Sequence, residues 1–166
     1  CTDKTGTLTQ NRMQIREVFI DGERHPIGDL ARDHAQPPMR DALPQGALGW
    51  SGFVAAVCNT AVAEGASNHL VGDPTEVALL TFARDAGIDP ELRTRIRLVD
   101  ELPFDSEHQR MTSLFELAPG RFVIAMKGAP EVILDRANFL CREGIEVPLH
   151  ASRRHEIEQA ASDMAA

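Results

Sequence analysis

The segment MTSLFELAPGRFVIAMK (residues 111–127) contains two candidate strands joined by a turn. Apolar and β-branched residues fill MTSLFEL (111–117) and RFVIAMK (121–127), which flank Ala118-Pro119-Gly120. Residues of these types favour strands, and a glycine permits the backbone angles of a tight turn. The stretch therefore predicts an antiparallel hairpin with Gly120 in its turn.

Helical patterns stand on both sides of this hairpin. In VGDPTEVALLTFARDAG (71–87), Asp73 can cap a helix, Pro74 suits its first position and Gly87 can end it. Glu76 lies three residues after the cap, which is the spacing of a capping box. Further helices are predicted at 47–63, 90–95, 131–140 and 150–166.

The remaining segments predict short strands and one irregular connection. Strands are expected at 12–20, 96–104 and 145–149, and Asp21-Gly22 is a turn signal that would return the first of them. Residues 23–46 hold many prolines and glycines, which is typical of an irregular connection. Because strands and helices do not alternate as regular βαβ units, we predict an α+β fold, an antiparallel sheet flanked by helices.

Composition and charge limit the possible functions. The 166 residues suit one domain, with 43% hydrophobic and 25% charged residues. No apolar run approaches the roughly 20 residues that span a bilayer. The net charge of -8 argues against nucleic-acid binding, because phosphate backbones attract clustered Lys and Arg. The three cysteines lack paired spacing, which argues against zinc.

The opening CTDKTGTLTQNRM (1–13) carries the first candidate chemistry. A carboxylate nucleophile needs small residues and hydrogen-bond donors around it, so that a phosphoryl group can fit. Thr5, Gly6 and Thr7 meet this need for Asp3. From the residue types alone, Asp3 is either such a nucleophile or part of an ordinary turn.

Three further motifs each allow a structural and a functional interpretation. In GDPTE (72–76), Glu76 can simply complete a helix cap. In PFDSEHQRM (103–111), Phe104 can be the last core residue of a strand. In MKGAPE (126–131), Lys127 is either a solvated surface residue or an ammonium group at a pocket floor, next to a glycine that allows close approach of the backbone.

Taken in order, DKTGTLT, GDPTE, PFDSE and KGAPE resemble the motifs of P-type ATPases, ion pumps that pass through an aspartyl-phosphate. The likeness covers nearly the whole chain and is to pumps of calcium, magnesium, proton or sodium/potassium type. It implies the family's nucleotide-binding domain and fold at 11–166, preceded by the start of the phosphorylation domain at 1–10. The chain is thus expected to be part of a longer polypeptide.

The resemblance also implies roles for individual residues. Asp3, beside Lys4 and Thr5, would take the γ-phosphate of ATP, with Mg²⁺ at Asp3 neutralising the charge. Glu76 would contact the adenine amino group, and Phe104 would stack on the ring. The implied nucleotide-binding residues are Thr75, Glu76, Phe104, Ser106, Gln109, Arg110, Lys127 and Gly128.

One position departs from the family pattern. Related pumps often carry a basic residue five places after the stacking Phe, towards the phosphates, where this chain has Gln109. The expected contact would then need Arg110 or His108. The TGD and GDGxND segments of the catalytic half do not occur in these 166 residues. We therefore expect weak ATP binding without turnover.

As a pump domain, the chain would be a soluble, cytosolic part of an integral membrane protein. Its partners would be ATP and the remaining phosphorylation, actuator and transmembrane domains of the same polypeptide, and no nucleic acid. The motifs do not identify the transported ion, and calcium is a guess.

Two other functions stay open. A soluble phosphatase of the haloacid-dehalogenase class would usually carry a second Asp two residues after the nucleophile, where this chain has Thr5. Threonine cannot activate water comparably. A non-catalytic interaction domain that has lost nucleotide would be consistent with Gln109.

Overall fold

The computed structural model describes residues 13–29, 44–64 and 69–165. Its strands are β1 (Glu17–Ile20), β2 (Glu23–Pro26), β3 (Val62–Glu64), β4 (His69–Val71), β5 (Arg97–Asp105), β6 (Arg110–Ala118), β7 (Arg121–Gly128), β8 (Phe139–Arg142) and β9 (Ile145–Pro148). Its helices include α1 (Gly46–Val57), α2 (Pro74–Asp85), α3 (Leu92–Arg95), α4 (Pro130–Leu134) and α5 (Ala151–Ala165).

A three-stranded antiparallel sheet, in the order β5-β6-β7, carries the candidate site. The predicted hairpin is confirmed, since β6 pairs with β7 and Gly120 has a φ of 76° in the turn. Along β6, Met111, Ser113 and Phe115 are buried and alternate with less buried neighbours. Successive side chains of a strand point to opposite faces, so this sheet has one core face.

The core lies between that face and the two 12-residue helices α1 and α2. Phe53 and Val57 of α1 meet Leu80 of α2 and Phe115 of β6 in one buried cluster. Burying a large apolar side chain contributes about 1.5–3 kcal/mol to stability. The same packing holds the ends of α1, α2 and β7 in place.

The described residues also form three two-stranded antiparallel ribbons, β1-β2, β3-β4 and β8-β9. Asp21 and Gly22 turn the first ribbon with φ values of 55° and 90°, as predicted. Antiparallel strands and helices are thus mixed in the α+β manner that the sequence predicts. Among the residues that the structure describes, no helix is long and apolar enough to cross a membrane.

Several predicted boundaries are wrong. In each case, residues of the predicted segment belong to a paired strand instead. The helix predicted at 47–63 ends at Val57, and its last residues enter β3. The helix predicted at 131–140 stops at Leu134, because Phe139–Arg142 pairs with β9.

The connection predicted at 23–46 also begins with a strand, since Glu23–Pro26 pairs with β1. Pro26 stands at the end of that strand, where a missing N–H is tolerated. Residues 30–43 of this connection lie outside the described part of the chain.

A buried asparagine accompanies the end of α1 and ties it to α2. Asn59 is fully buried, and its Nδ2 donates to the carbonyl oxygens of Ala55 and Glu76, each at 3.0 Å. Its Oδ1 accepts from the Ala61 N–H at 2.8 Å. The Asn59 side chain thus forms hydrogen bonds with three backbone groups between the end of α1 and the start of β3.

We expect Asn59→Ala to lower the free energy of unfolding by about 1–3 kcal/mol, because it leaves buried backbone groups without partners. Urea denaturation measures this loss. Asn138, which is exposed, offers the control: Asn138→Ala should stay within about 0.5 kcal/mol of the parent. Equal stability of the two variants would contradict the role given to Asn59.

Candidate functional site

A cleft of about 760 Å³ lies between β1 and the end of β7, and side chains of α1 and α2 complete its lining. Ligand pockets commonly measure about 300–1,000 Å³ and are mostly apolar with a few polar groups. The cleft follows this pattern, with apolar side chains such as Val18, Trp50 and Leu79. Five of the residues predicted from the sequence line it: Thr75, Glu76, Phe104, Lys127 and Gly128.

Glu76 does not complete the predicted capping box. Asp73 does cap α2, since its Oδ1 accepts from the Thr75 N–H at 2.8 Å. The Glu76 carboxylate instead accepts from the Thr60 N–H at 2.9 Å through Oε2, and its Oε1 binds Lys127 Nζ. The helix start therefore positions Glu76, but the side chain belongs to the cleft.

Lys127 is not a solvated surface lysine. Its side chain is 17% exposed and that of Glu76 is 18% exposed, so this ion pair is largely withdrawn from water. Removing one member of such a pair leaves an uncompensated charge in a poorly hydrated position. The pair thus presents a carboxylate and an ammonium group together in the cleft wall.

Gly128 allows the end of β7 to lie directly against the β5–β6 turn. A Cβ atom at this position would come 2.8 Å from the Cβ of Arg110 and would also clash with the Gln109 carbonyl oxygen. That carbonyl accepts from the Ala129 N–H at 3.0 Å. Only a residue without a side chain fits here, and it leaves bare backbone in the cleft lining.

Phe104 lies near the end of β5 and is 62% exposed, so the interpretation of this residue as a core residue is wrong. Its ring also lines the cleft. An exposed aromatic ring offers a flat apolar face to a planar ligand.

The β5–β6 turn beside Phe104 satisfies its own polar groups. The Asp105 carboxylate accepts from the Glu107 N–H at 2.8 Å and binds His108 Nδ1. The hydrogen bond from His108, followed by that from the Glu107 backbone, holds the pKa of Asp105 below its usual value. Gln109 follows with a φ of 50°, in the left-handed region.

Three predicted nucleotide-binding residues are not part of the cleft lining. Ser106 and Gln109 lie in the β5–β6 turn, and Arg110 is the first residue of β6. The predicted catalytic residues Asp3, Lys4 and Thr5 lie outside the described residues. Within 13–29, 44–64 and 69–165, no group of three or more His, Cys, Asp or Glu side chains could hold a metal ion.

Sequence reasoning missed the contribution of the Thr60 backbone to the site. A main-chain N–H has no signature in residue type, so only the neighbouring Asn59 could have suggested that the chain turns here. Sequence reasoning also missed the side of the cleft formed within residues 15–20. The pattern of this segment predicts a strand, but it does not indicate that the strand lines the same cleft as Glu76 and Lys127.

The chain is similar to known ion pumps over nearly all of its length. Residues 52–166 match the family model described as P-type ATPase, cytoplasmic domain N. The calcium-transporting ATPase of Bacillus subtilis is 31% identical, covering 99% of this chain and 19% of that protein. The human sodium/potassium-transporting ATPase subunit alpha-2 is 32% identical, covering 99% of this chain and 17% of that protein.

The potassium-transporting ATPase alpha chain 1 of Xenopus laevis is 31% identical, again covering 99% of this chain and 17% of that protein. The chain therefore spans less than a fifth of the length of these relatives. A match to the family model over more than half of the chain, together with these relatives, identifies the chain as a member of the P-type cation ATPase family.

Proposed function

We propose that the cleft between β1 and β7 binds ATP, and that this chain is the nucleotide-binding domain of a P-type cation pump, with the fold of that domain. The observation that carries the proposal is the convergence of Glu76, Phe104, Lys127 and Gly128 in one cleft of suitable size. These residues come from separate segments, and their chemistry suits a purine nucleotide.

The adenine ring stacks on Phe104, which supplies about 1–3 kcal/mol per base. The Glu76 carboxylate, already held by Thr60, accepts a hydrogen bond from the adenine amino group. Thr75 lies beside Glu76 in the lining, and Gly128 lets the nucleotide approach the backbone closely. Lys127 balances the charge of Glu76, so that the base meets a carboxylate fixed in position.

In the intact pump, residues 1–10 begin the phosphorylation domain and 11–166 form the nucleotide-binding domain. An oxygen of Asp3, with Lys4 and Thr5 beside it, bonds to the γ-phosphorus of ATP while the bond to the β–γ bridging oxygen breaks and ADP leaves. Asp3 would also hold Mg²⁺ in the intact pump, and the ion would neutralise phosphate charge. The remaining phosphorylation, actuator and transmembrane domains complete the cycle, which places this chain on the cytosolic side of an integral membrane protein. Alone, it binds ATP weakly and turns none over.

Titration of the isotope-labelled chain with ATP, without and then with Mg²⁺, tests the proposal by NMR. We expect shift changes to cluster on Glu76, Phe104, Lys127 and Gly128. Phe104→Ala should weaken ATP binding by about five- to 150-fold, because the stacking surface is lost.

Phe122 provides the control for this loss, because it is 56% exposed in β7 and does not line the cleft. Phe122→Ala should bind ATP like the parent. A spectrum that does not change at millimolar ATP would overturn the proposal and favour an interaction domain without nucleotide. Release of phosphate from a generic phosphate ester would favour the soluble phosphatase instead.

We also expect Glu76→Gln to reduce the preference for ATP over GTP by about tenfold or more, since hydrogen bonds to a charged group contribute about 1.5–3 kcal/mol. The carboxylate accepts from the 6-amino group of adenine and repels the 6-oxo group of guanine, whereas the amide can donate to the latter. Paired affinity measurements with both nucleotides give this ratio. Glu131→Gln, at an exposed position in the first turn of α4, is the control and should leave the ratio unchanged.

A further inference from the structure

The phosphates of a nucleotide in this cleft need a cation that no protein carboxylate already holds. The chain has a net charge of -8 and as a whole repels anions. A cationic side chain must therefore lie close to the phosphates. Lys127 is bound to Glu76, and His108 is bound to Asp105. Neither is free to take a phosphate without giving up its present partner.

Arg110 is the first residue of β6 and lies beside Gly128, a residue of the cleft lining. It lies opposite Gly128 in the β6–β7 register, and directly opposite residues of an antiparallel pair project to the same face. The close approach of Arg110 Cβ to the missing Cβ of Gly128 agrees with this placement. Because Gly128 has no side chain, Arg110 packs directly against its backbone, and that backbone lines the cleft.

Arg110 is half-buried, and none of the ion pairs among the described residues includes it. The acid that could neutralise it is Asp105, which is its partner in the β5–β6 register. Both oxygens of Asp105 are already engaged, one by the Glu107 N–H and the other by His108. The turn thus occupies its own carboxylate, and within the described part of the chain no ion pair holds the guanidinium of Arg110.

Gln109 is poorly suited to the same task. It is uncharged, its N–H donates to the Asp105 carbonyl at 2.6 Å and its carbonyl accepts from Ala129, so its backbone is held within the turn. The neighbouring Arg110 carries a planar fork of donors that fits phosphate oxygens in bidentate fashion.

We propose that Arg110 binds the polyphosphate of the nucleotide, so that the cation lies one residue further along the chain than in related pumps. This inference rests on the proposed ATP site and names the residue that recognises its phosphates. The base is held near Glu76 and Lys127, and the phosphates run past the backbone of Gly128 to the guanidinium.

The test compares the affinities of the full chain for adenosine, AMP, ADP and ATP, measured by NMR titration without Mg²⁺. In the parent, affinity should rise with each phosphate. In Arg110→Gln, ATP affinity should fall about tenfold while adenosine affinity is unchanged, because only the bond to the charged phosphates is lost. Arg110→Lys keeps the charge and should recover part of the preference for ATP.

Arg121→Gln is the matched control, because Arg121 begins β7 at the far end of the hairpin and is exposed. Equal ATP affinity of Arg110→Gln and Arg121→Gln would overturn the role of Arg110 and leave the ATP site standing. A loss of adenosine affinity equal to the loss for ATP would overturn it as well, since it would indicate a structural effect. If the parent binds neither adenosine nor ATP, both the inference and the proposed ATP site are overturned.

Discussion

The Glu76 carboxylate is the point at which three separate segments of the chain meet. One oxygen accepts from the backbone after α1 and the other binds the lysine at the end of β7, while the residue itself stands in the first turn of α2. The cleft is lined by these same three elements together with β1. Without this carboxylate, Lys127 would be a largely buried cation without its ion-pair partner, and the end of β7 would lose its salt bridge to the start of α2.

This arrangement is compatible with the proposed ATP site even though the chain carries excess negative charge. Glu76 and Lys127, which line the cleft, form an ion pair that is neutral as a unit. A second cationic side chain can then interact with a ligand without competing for Glu76, provided that hydrogen bonds already occupy the other nearby carboxylates. The β5–β6 turn meets this condition by holding Asp105 with His108 and the Glu107 backbone.

Much of the fold could be predicted from the sequence, because the hairpin at 111–127 and the start of α2 are specified by local chemistry. Turn glycines, a capping Asp and β-branched strands act over a few residues. The ends of α1 and α4 could not be predicted, since pairing of β3 with β4 and of β8 with β9 decides them. Apolar segments such as these suit helix and strand almost equally until a partner strand is known.

For the cleft, the motifs predicted five of the lining residues but not their contacts. From the residue types alone, Glu76 could complete a helix cap and Phe104 could be the last core residue of a strand, because each interpretation satisfies the local pattern. Tertiary structure overrides both, by offering Glu76 a lysine 51 positions away and by leaving Phe104 exposed. Long-range pairs of this kind carry no signal in a single chain.

Gly128 serves two geometric purposes with the same missing atom. On one side its lack of a Cβ allows the Gln109 carbonyl and Arg110 to close against the strand, and on the other it leaves backbone free in the cleft. Any larger residue would collide with the turn. The packing of the turn and the backbone surface of the cleft wall therefore depend on the same missing atom.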